Sequence, residues 1–409
     1  MVRLFSHRKR PVNLGPYPLE RLSRQHKAPE MDPALPVEPF RVADADNPHS
    51  LANGMRHYFD VMDRMRVGDV APARAPIPDD PKARADHLKA ACYYLDASMA
   101  GVCRIPAGAV LDQPVVNGSL GRAMEQQYSA GSAENPMAEI SVREGRAAWE
   151  RAQAAMDAAF SHEYALAVLV EYPRDVDPGE PGATWIAGTQ AQRASLRAAE
   201  VGAVMANYLR MLGFDARLHT ATASDLNPRL ILLAAGLGER SESGVEVPYL
   251  GDRFGVAIVS TTMELAPDQP LAPGAAKAAR DFRWWIGYGG TRPGFQGSLY
   301  KGRPFHLGLY PMEKIKRTDE PTTLIDAANV PRIPKRHDMF IRASLGDLGP
   351  KAQKELTDFR MITKSPFGHA MIPVLGGMVP LQYGRESAET AEGYDDPRRN
   401  AEILKAALY

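Results

Sequence analysis

Ten histidines, two cysteines and one glycine-rich turn are the features of this chain whose types could carry chemistry. His162, His219, His306, His337 and His369 are scattered. No His-Glu-x-x-His pattern and no i, i+4 pair occurs, the spacing that brings two imidazoles to one helix face around a zinc ion. His219 follows a predicted strand, Phe214–Leu218, and precedes a loop, a place from which a side chain can face a cofactor pocket; haem ligation is one chemistry it allows. Cys92 and Cys103 are too few for a [4Fe–4S] cluster, which takes about four thiolates. The same count excludes a disulfide framework, and the apolar flanks Ala90-Ala91 and Gly101-Val102 suit buried, reduced thiols.

Gly236-Leu237-Gly238-Glu239 is not a dinucleotide fingerprint, because its third glycine is missing and no acidic ribose partner stands at the proper distance. No Walker A motif and no Gly-x-Ser-x-Gly elbow is present. Gly236, Gly238 and the loop Gly287–Gly290 allow a backbone to approach a bulky planar ligand closely, or they simply make turns. Phe282, Trp284, Trp285 and Tyr288 form the densest aromatic cluster, which reads as packing in a core or subunit interface, and secondarily as a stacking platform for a ring. The candidate cofactor-binding set is Gly236, Gly238, Glu239, His219, Tyr288 and Gly289, with no metal ligands and no assigned catalytic residue.

The elements that must position these residues are legible in parts. Residues 1–50, rich in Pro, Arg and Asp, read as an extended arm, followed by a helix near Ser50–Arg66. Four prolines in 67–82 exclude a regular element there. The 3–4 spacing of Leu88, Ala91, Leu95 and Met99 predicts a helix from His87 to Gly101, with Val102–Ile105 a short strand. Arg146–Phe160 reads as helix and Tyr164–Val170 as a buried strand. Ala194–Leu212 is the strongest helix, ended by Gly213. Phe214–Leu218, Val245–Tyr249 and Gly255–Thr261 read as extended, around an apolar Leu230–Ala235. Beyond Pro273 come loops, partial helix at His337–Phe359, and a terminal helix near Ala401–Leu408. No repeat with a period of 20–50 residues is evident. The mixture predicts an α+β fold, or α/β with a mixed sheet.

Composition sets few further limits. The chain has 409 residues, 44% hydrophobic and 24% charged, and its 49 basic and 49 acidic side chains cancel. Such a balance gives no long-range field for nucleic acid or an anionic membrane. No apolar run reaches the length of a transmembrane helix, and no apolar segment follows the N-terminal basic residues, so the reading is a cytoplasmic protein.

Several phrases occur in a telling order: Ala206-Asn-Tyr-Leu-Arg210-Met-Leu-Gly213-Phe-Asp-Ala216, then Leu233-Ala-Ala-Gly236-Leu-Gly238-Glu239-Arg240, then Gly251-Asp-Arg253-Phe-Gly-Val-Ala-Ile-Val259, then Asp268-Gln-Pro270. They resemble the cobalamin-dependent reductive dehalogenases and, more distantly, epoxyqueuosine reductase, whose helix ends in an "IRxLGYxA" phrase followed by an "AGLGExGR" turn. Leu14-Gly-Pro-Tyr-Pro-Leu-Glu-Arg21-Leu22 resembles the opening of the cytoplasmic, oxygen-tolerant branch, whose long chains carry a degenerate N-terminal copy of the core ahead of the working one. The resemblance implies a nitroreductase-like mixed sheet flanked by helices. It divides the chain into an arm and first helix (1–66), an α+β core (67–275) and an extension replacing a ferredoxin-like region (276–409).

The departures decide what function the resemblance implies. The family's cluster cysteines are absent from Leu271–Pro311. The family's proton-donating Tyr and a basic residue fall near Ser195 and at Gly255, where neither residue can do the work; Arg253 and Arg193 stand nearby as substitutes after a shift of register. The expectation is a non-catalytic or partner-dependent module that binds cobalamin if it binds a cofactor, without an iron–sulfur cluster. Its partner would be a cluster-bearing or catalytic dehalogenase chain, with self-association as a dimer besides. The alternative is a redox enzyme using cobalamin, haem or FMN with electrons from a separate partner.

Overall fold

The structure, a computed structural model, describes residues 10–26, 44, 46–117, 160–242, 244–294, 303–308, 310–320, 326, 328–329, 333–334, 337–358, 365–378 and 393–409. The principal helices are α1 (Leu51–Arg64), α2 (Pro81–Tyr94), α3 (Gln190–Met211), α4 (Pro228–Ala234), α5 (Pro366–Met378) and α6 (Pro397–Leu408). The strands are β1 (Met99–Arg104), β2 (Val110–Val115), β3 (Tyr164–Glu171), β4 (Ala216–His219), β5 (Ser224–Leu226), β6 (Glu239–Ser241), β7 (Gly244–Glu246) and β8 (Phe254–Thr261).

The central sheet has the order β1-β3-β8-β4, and every pairing in it is antiparallel, with Ala167 opposite Ile258 and Leu218 opposite Val259. Antiparallel strands with helices packed on them make the fold α+β. Successive side chains of a strand alternate between faces. Leu166, Val168, Ala257 and Val259 therefore meet α3, while Ala165, Ala167, Leu169 and Ile258 meet α4 and the Tyr249 turn. Both faces are covered, which is why β3 and β8 read as continuous apolar runs.

The sheet-facing side of α3 is built of small residues. Ala198, Ala199, Gly202, Ala203 and Ala206 are all buried, and a Cβ placed on Gly202 would stand 2.6 Å from Leu218 Cδ1. The helix ends at Gly213, whose φ of 85° is the left-handed cap. Near that end the buried Arg210 donates to the carbonyls of Met65, Arg66 and Ala216 and to Asn207 Oδ1, tying the end of α1 to the start of β4. Burial lowers its pKa to about 10.

Several predicted boundaries move for physical reasons. Helix α2 begins at Pro81 rather than His87, since a proline at the first helical position gives up only an N–H that would lack an intrahelical partner, and Asp80 accepts from Lys82 N. It stops at Tyr94, so β1 starts at Met99 instead of Val102. Apolar Leu230–Ala235 lies mostly in α4, capped by Asn227. The predicted helix Arg146–Phe160 lies outside the described residues except for Phe160.

One structural unit occurs twice. Arg10 donates from Nε to Gly15 O (2.7 Å) and from Nη2 to Leu14 O and Tyr17 O, and it pairs with Glu20. Arg303 donates from Nε to Gly308 O (2.6 Å) and from Nη2 to Leu307 O and Tyr310 O, and it pairs with Glu313. The two glycines share one backbone conformation, φ 63° and ψ −174° against φ 64° and ψ −171°. Gly15 lies flat against the ring of Tyr93 near the end of α2, and Gly308 against the ring of Tyr409 just past α6. Both helices open with Asp-Asp-Pro, and the match runs ungapped from Asp79 to Tyr93 and from Asp395 to Tyr409 through Leu88-Lys-Ala-Ala91 and Leu404-Lys-Ala-Ala407. The two copies lie far further apart than the 20–50 residues of a repeat array.

The close contact of α3 with the sheet makes a prediction. Gly202→Leu should overpack the Leu218 and Ala257 contact and cost about 1–3 kcal/mol, read as a lower urea midpoint with an unchanged slope.

Candidate functional site

A cavity of about 540 Å³ opens between the first turn of α3, the end of β3, the turn before β8, the short helix Phe282–Trp285 and the second arginine-locked turn. Its volume suits a small organic ligand. One wall is aromatic. Tyr17 stacks on Tyr249 with centroids 5.4 Å apart, Tyr249 meets Trp284 at 5.3 Å, and Trp284 meets Trp285 at 5.9 Å.

The opposite character comes from arginine. Four guanidinium groups at the cavity are neutralised: Arg174 by Glu180, Arg197 by Glu200, Arg292 by Glu171 and Arg303 by Glu313. Glu171 also accepts from the buried Tyr17 hydroxyl. Three more are not. Arg193 and Arg253 make no ion pair or side-chain hydrogen bond among the described residues, and Arg280 reaches only the carbonyl of Tyr249, at 3.2 Å. Burial, and next the charge of Arg197, lower the pKa of Arg193. The remaining acid in the lining is Asp96.

Two further observations mark this place. The buried Oε1 of Gln190 and the buried Nε1 of Trp284, both from lining residues, have no hydrogen-bond partner among the described residues. Buried polar atoms without a partner are costly and rare. Among the described residues, the non-glycine residues with left-handed backbone are Asp96 (φ 68°) and Tyr249 (φ 70°), and both line this cavity. Such backbone strain clusters at ligand sites.

The six residues singled out from the sequence lie elsewhere; none lines this cavity. A Cβ on Gly236 would stand 2.1 Å from Arg24 Nη1 and 2.2 Å from Gln269 O, so the close approach that this glycine permits is to the N-terminal segment. At Gly238 the neighbour is Val245, and at Gly289 it is Arg21. Glu239 caps the short helix Ala275–Ala278 by accepting from Gly274 N and Ala276 N. The Tyr288 carbonyl accepts from Arg21 Nη2, whose guanidinium also lies over the Tyr288 ring.

His219 sits inside a buried polar network. Its Nδ1 accepts from Asp225 N (3.1 Å), so the proton lies on Nε2 and points at Ser260 Oγ (2.8 Å). Ser260 Oγ is 2.7 Å from His162 Nδ1, and His162 Nε2 is 3.1 Å from Asp215. Burial and the cations Arg66 and Arg217 hold the His219 pKa well below the usual range, so the ring is neutral. Arg66 and Arg217 share Asp225 at 2.7 and 3.3 Å. Beside them Asp63, pushed up by burial, is held by the hydroxyls of Thr220 and Thr222. Cys92 and Cys103 are buried free thiols; burial raises both, that of Cys103 to about 12. Among the described residues no group of three or more His, Cys, Asp or Glu could hold a metal ion, and no helix is long and apolar enough to cross a membrane.

Sequence missed the cavity because its arginines come from distant segments: Arg193 from α3, Arg253 from the turn before β8, Arg280 from the loop beyond. No short motif joins them. Arg193 and Arg253 stand out in the sequence only through the resemblance, as stand-ins for the family's basic residue, and the paired Trp284-Trp285 belongs to the aromatic wall of the same cavity.

No protein-family model and no curated protein matches the chain. Solved structures do. The catabolic reductive dehalogenase NpRdhA in complex with 3-bromo-4-hydroxybenzoic acid matches with a TM-score of 0.78 at 37% identity, over 99% of this chain and 51% of the other. A reductive dehalogenase structure described as suggesting a mechanism for B12-dependent dehalogenation matches at 0.77 and 37%, over the same shares. The K488Q variant of NpRdhA matches at 0.78 and 36%. This chain thus spans about half the length of these relatives.

The positions that the family pattern assigns to acid and base can now be judged. Ser195 is buried in α3, and a Cβ on Gly255 would stand 2.0 Å from Ser195 N and 2.2 Å from Ala194 C. Strand β8 presses directly on the helix backbone there. No side chain has room at position 255, and the neighbouring Arg193 and Arg253 line the cavity. Because the obstacle is backbone, Gly255→Ala alone should cost about 3 kcal/mol, seen as a clear drop in melting temperature. A melting temperature equal to that of the parent would show that β8 and α3 can part.

Proposed function

We propose that this reductive-dehalogenase-like chain is a non-catalytic module that works beside a second, corrinoid-bearing core of the same architecture. The observation that carries this reading is the contact of Gly255 with the α3 backbone at Ser195, which leaves no room for a basic side chain at the position where the resemblance puts one, while a serine stands near the position of the acid. Two buried cysteines do not supply the four thiolates of a cluster, so electrons for a reductive cleavage would have to come from elsewhere.

The residues tested as a corrinoid cradle do not fit one. Gly236, Gly238 and Gly289 are filled by Arg24 and Gln269, by Val245 and by Arg21. The open volume, about 540 Å³, lies in the range of ligands much smaller than cobalamin with its nucleotide tail. Cobalamin, which the work on a related dehalogenase concerns, is therefore assigned to the partner core, as are catalysis and substrate.

The repeated unit supports pairing with such a core. In the first copy the Arg10 turn docks on α2, which leads into the sheet through β1. The second copy, at Arg303 and α6, falls in the stretch expected to replace a ferredoxin-like region, and it repeats the same entrance. Helix α5 precedes α6 as α1 precedes α2, yet it packs on α3 of the first core, burying Ala370 and Val374 with its Ala370 carbonyl accepting from Asn207. A helix from one copy lying on the central helix of the other is the arrangement of two cores that share a face.

The test is spectroscopic. Purified chain incubated with cob(II)alamin and passed through a desalting column should carry no corrinoid absorbance, and with a low-potential reductant it should not release bromide from 3-bromo-4-hydroxybenzoate. Stoichiometric corrinoid retention, haem or flavin colour in the purified protein, or bromide release by this chain alone would overturn the reading. Co-expression with a corrinoid-bearing dehalogenase core should give a stable complex.

A further inference from the structure

The arginine and aromatic cavity has a ligand of its own to explain, whether or not the chain catalyses anything. Arg193, Arg253 and Arg280 line the cavity without an ion pair among the described residues, and Asp96 is the one carboxylate of the lining not already paired with another arginine. Two or more negative charges are needed to balance the rest. A single carboxylate would leave a cation uncompensated. Guanidinium groups bind phosphate by paired N–H donors. The N-terminus of α3 strengthens the same preference, since Thr189 supplies no side-chain cap and the helix dipole favours an anion.

The other wall asks for a ring. Tyr249, Trp284 and the half-exposed Trp285 offer aromatic faces. A planar heteroaromatic ring carrying a chain of phosphates meets both demands within about 540 Å³.

We propose that this cavity binds a nucleotide, with its phosphates on Arg193, Arg253 and Arg280 and its base on the Tyr249 and Trp284 wall. The site lies away from the polar network at His219 and from the Gly236 turn, and it takes Arg303 and Gly308 of the second arginine-locked turn into its rim. Ligand binding there would clamp that turn against the first core.

Isothermal titration of the full chain with ADP should show one saturable site that weakens with rising salt. Arg193→Gln and Arg253→Gln should each weaken binding about tenfold or more, the loss of one charge-assisted contact, while Arg193→Lys keeps part of it. Trp285→Ala should weaken ADP but leave pyrophosphate unchanged. Circular dichroism and melting of each variant separate loss of the site from loss of the fold. No heat from ADP at millimolar concentration would overturn the proposal. So would pyrophosphate, adenosine or 4-hydroxybenzoate binding as tightly as ADP, or ADP binding that the arginine variants leave untouched. Cobalamin retention, measured separately, decides the non-catalytic reading and leaves this one standing.

Discussion

The backbone of α3 lies unusually near the sheet, and most of what distinguishes this protein follows from that contact. Small residues make it possible: Ala198, Ala199, Gly202 and Ala203 on the helix, Ala257 and Gly255 on β8. Dispersion gains fall off steeply with distance, so a helix that can settle onto strands without side chains between gains contact along its whole length. The same closeness removes volume. At the first turn of α3 the backbone of Ala194 and Ser195 meets Gly255, which leaves no space for a side chain at that position of β8.

Around this contact the remaining core is held by polar groups as much as by apolar ones. Arg210 closes the C-terminal end of α3 by satisfying carbonyls from three segments. The Asp225 pair with Arg66 and Arg217, and the His219–Ser260–His162 chain that ends at Asp215, fix the strand β4 and the turn after it. A buried charge left unpaired is expensive, whereas a network in which each member is satisfied specifies one arrangement. His219 thus has a reason to be where it is without any cofactor: its neutral ring accepts from one backbone amide and donates to one hydroxyl.

Much of this was legible in the chain. Period and composition gave α3, β3 and β8 close to their real limits, because their apolar runs are long and their ends are marked by Gly213 and Pro173. Helix α2 starts at Pro81, ahead of the apolar periodicity, because that proline opens the helix instead of breaking it. The ligand-facing role given to Gly236, Gly238 and Gly289 rested on the rule that glycine admits close approach; the rule holds at all three, but what approaches is Arg24, Val245 and Arg21 of this same chain. Spacing along a sequence reports that something comes near, and only the fold says what. The cavity was invisible for the complementary reason, since its arginines are brought together by tertiary structure alone.

The duplicated unit carries the furthest structural implication. An arginine that threads a tight turn, donating to three carbonyls and a glutamate, fixes the conformation so firmly that glycine torsions agree within a few degrees between two places in one chain. In each, the missing Cβ lets a tyrosine ring at the end of an Asp-Asp-Pro helix lie flat on the turn. Each turn also anchors apolar side chains, Tyr17 and Leu19 in the first and Phe305 in the second, in buried clusters. A device of that kind has value only where a helix must be delivered to a defined place. Its second occurrence puts Tyr409 and Gly308 on the rim of the arginine cavity, beside a core on which α5 is seated against α3.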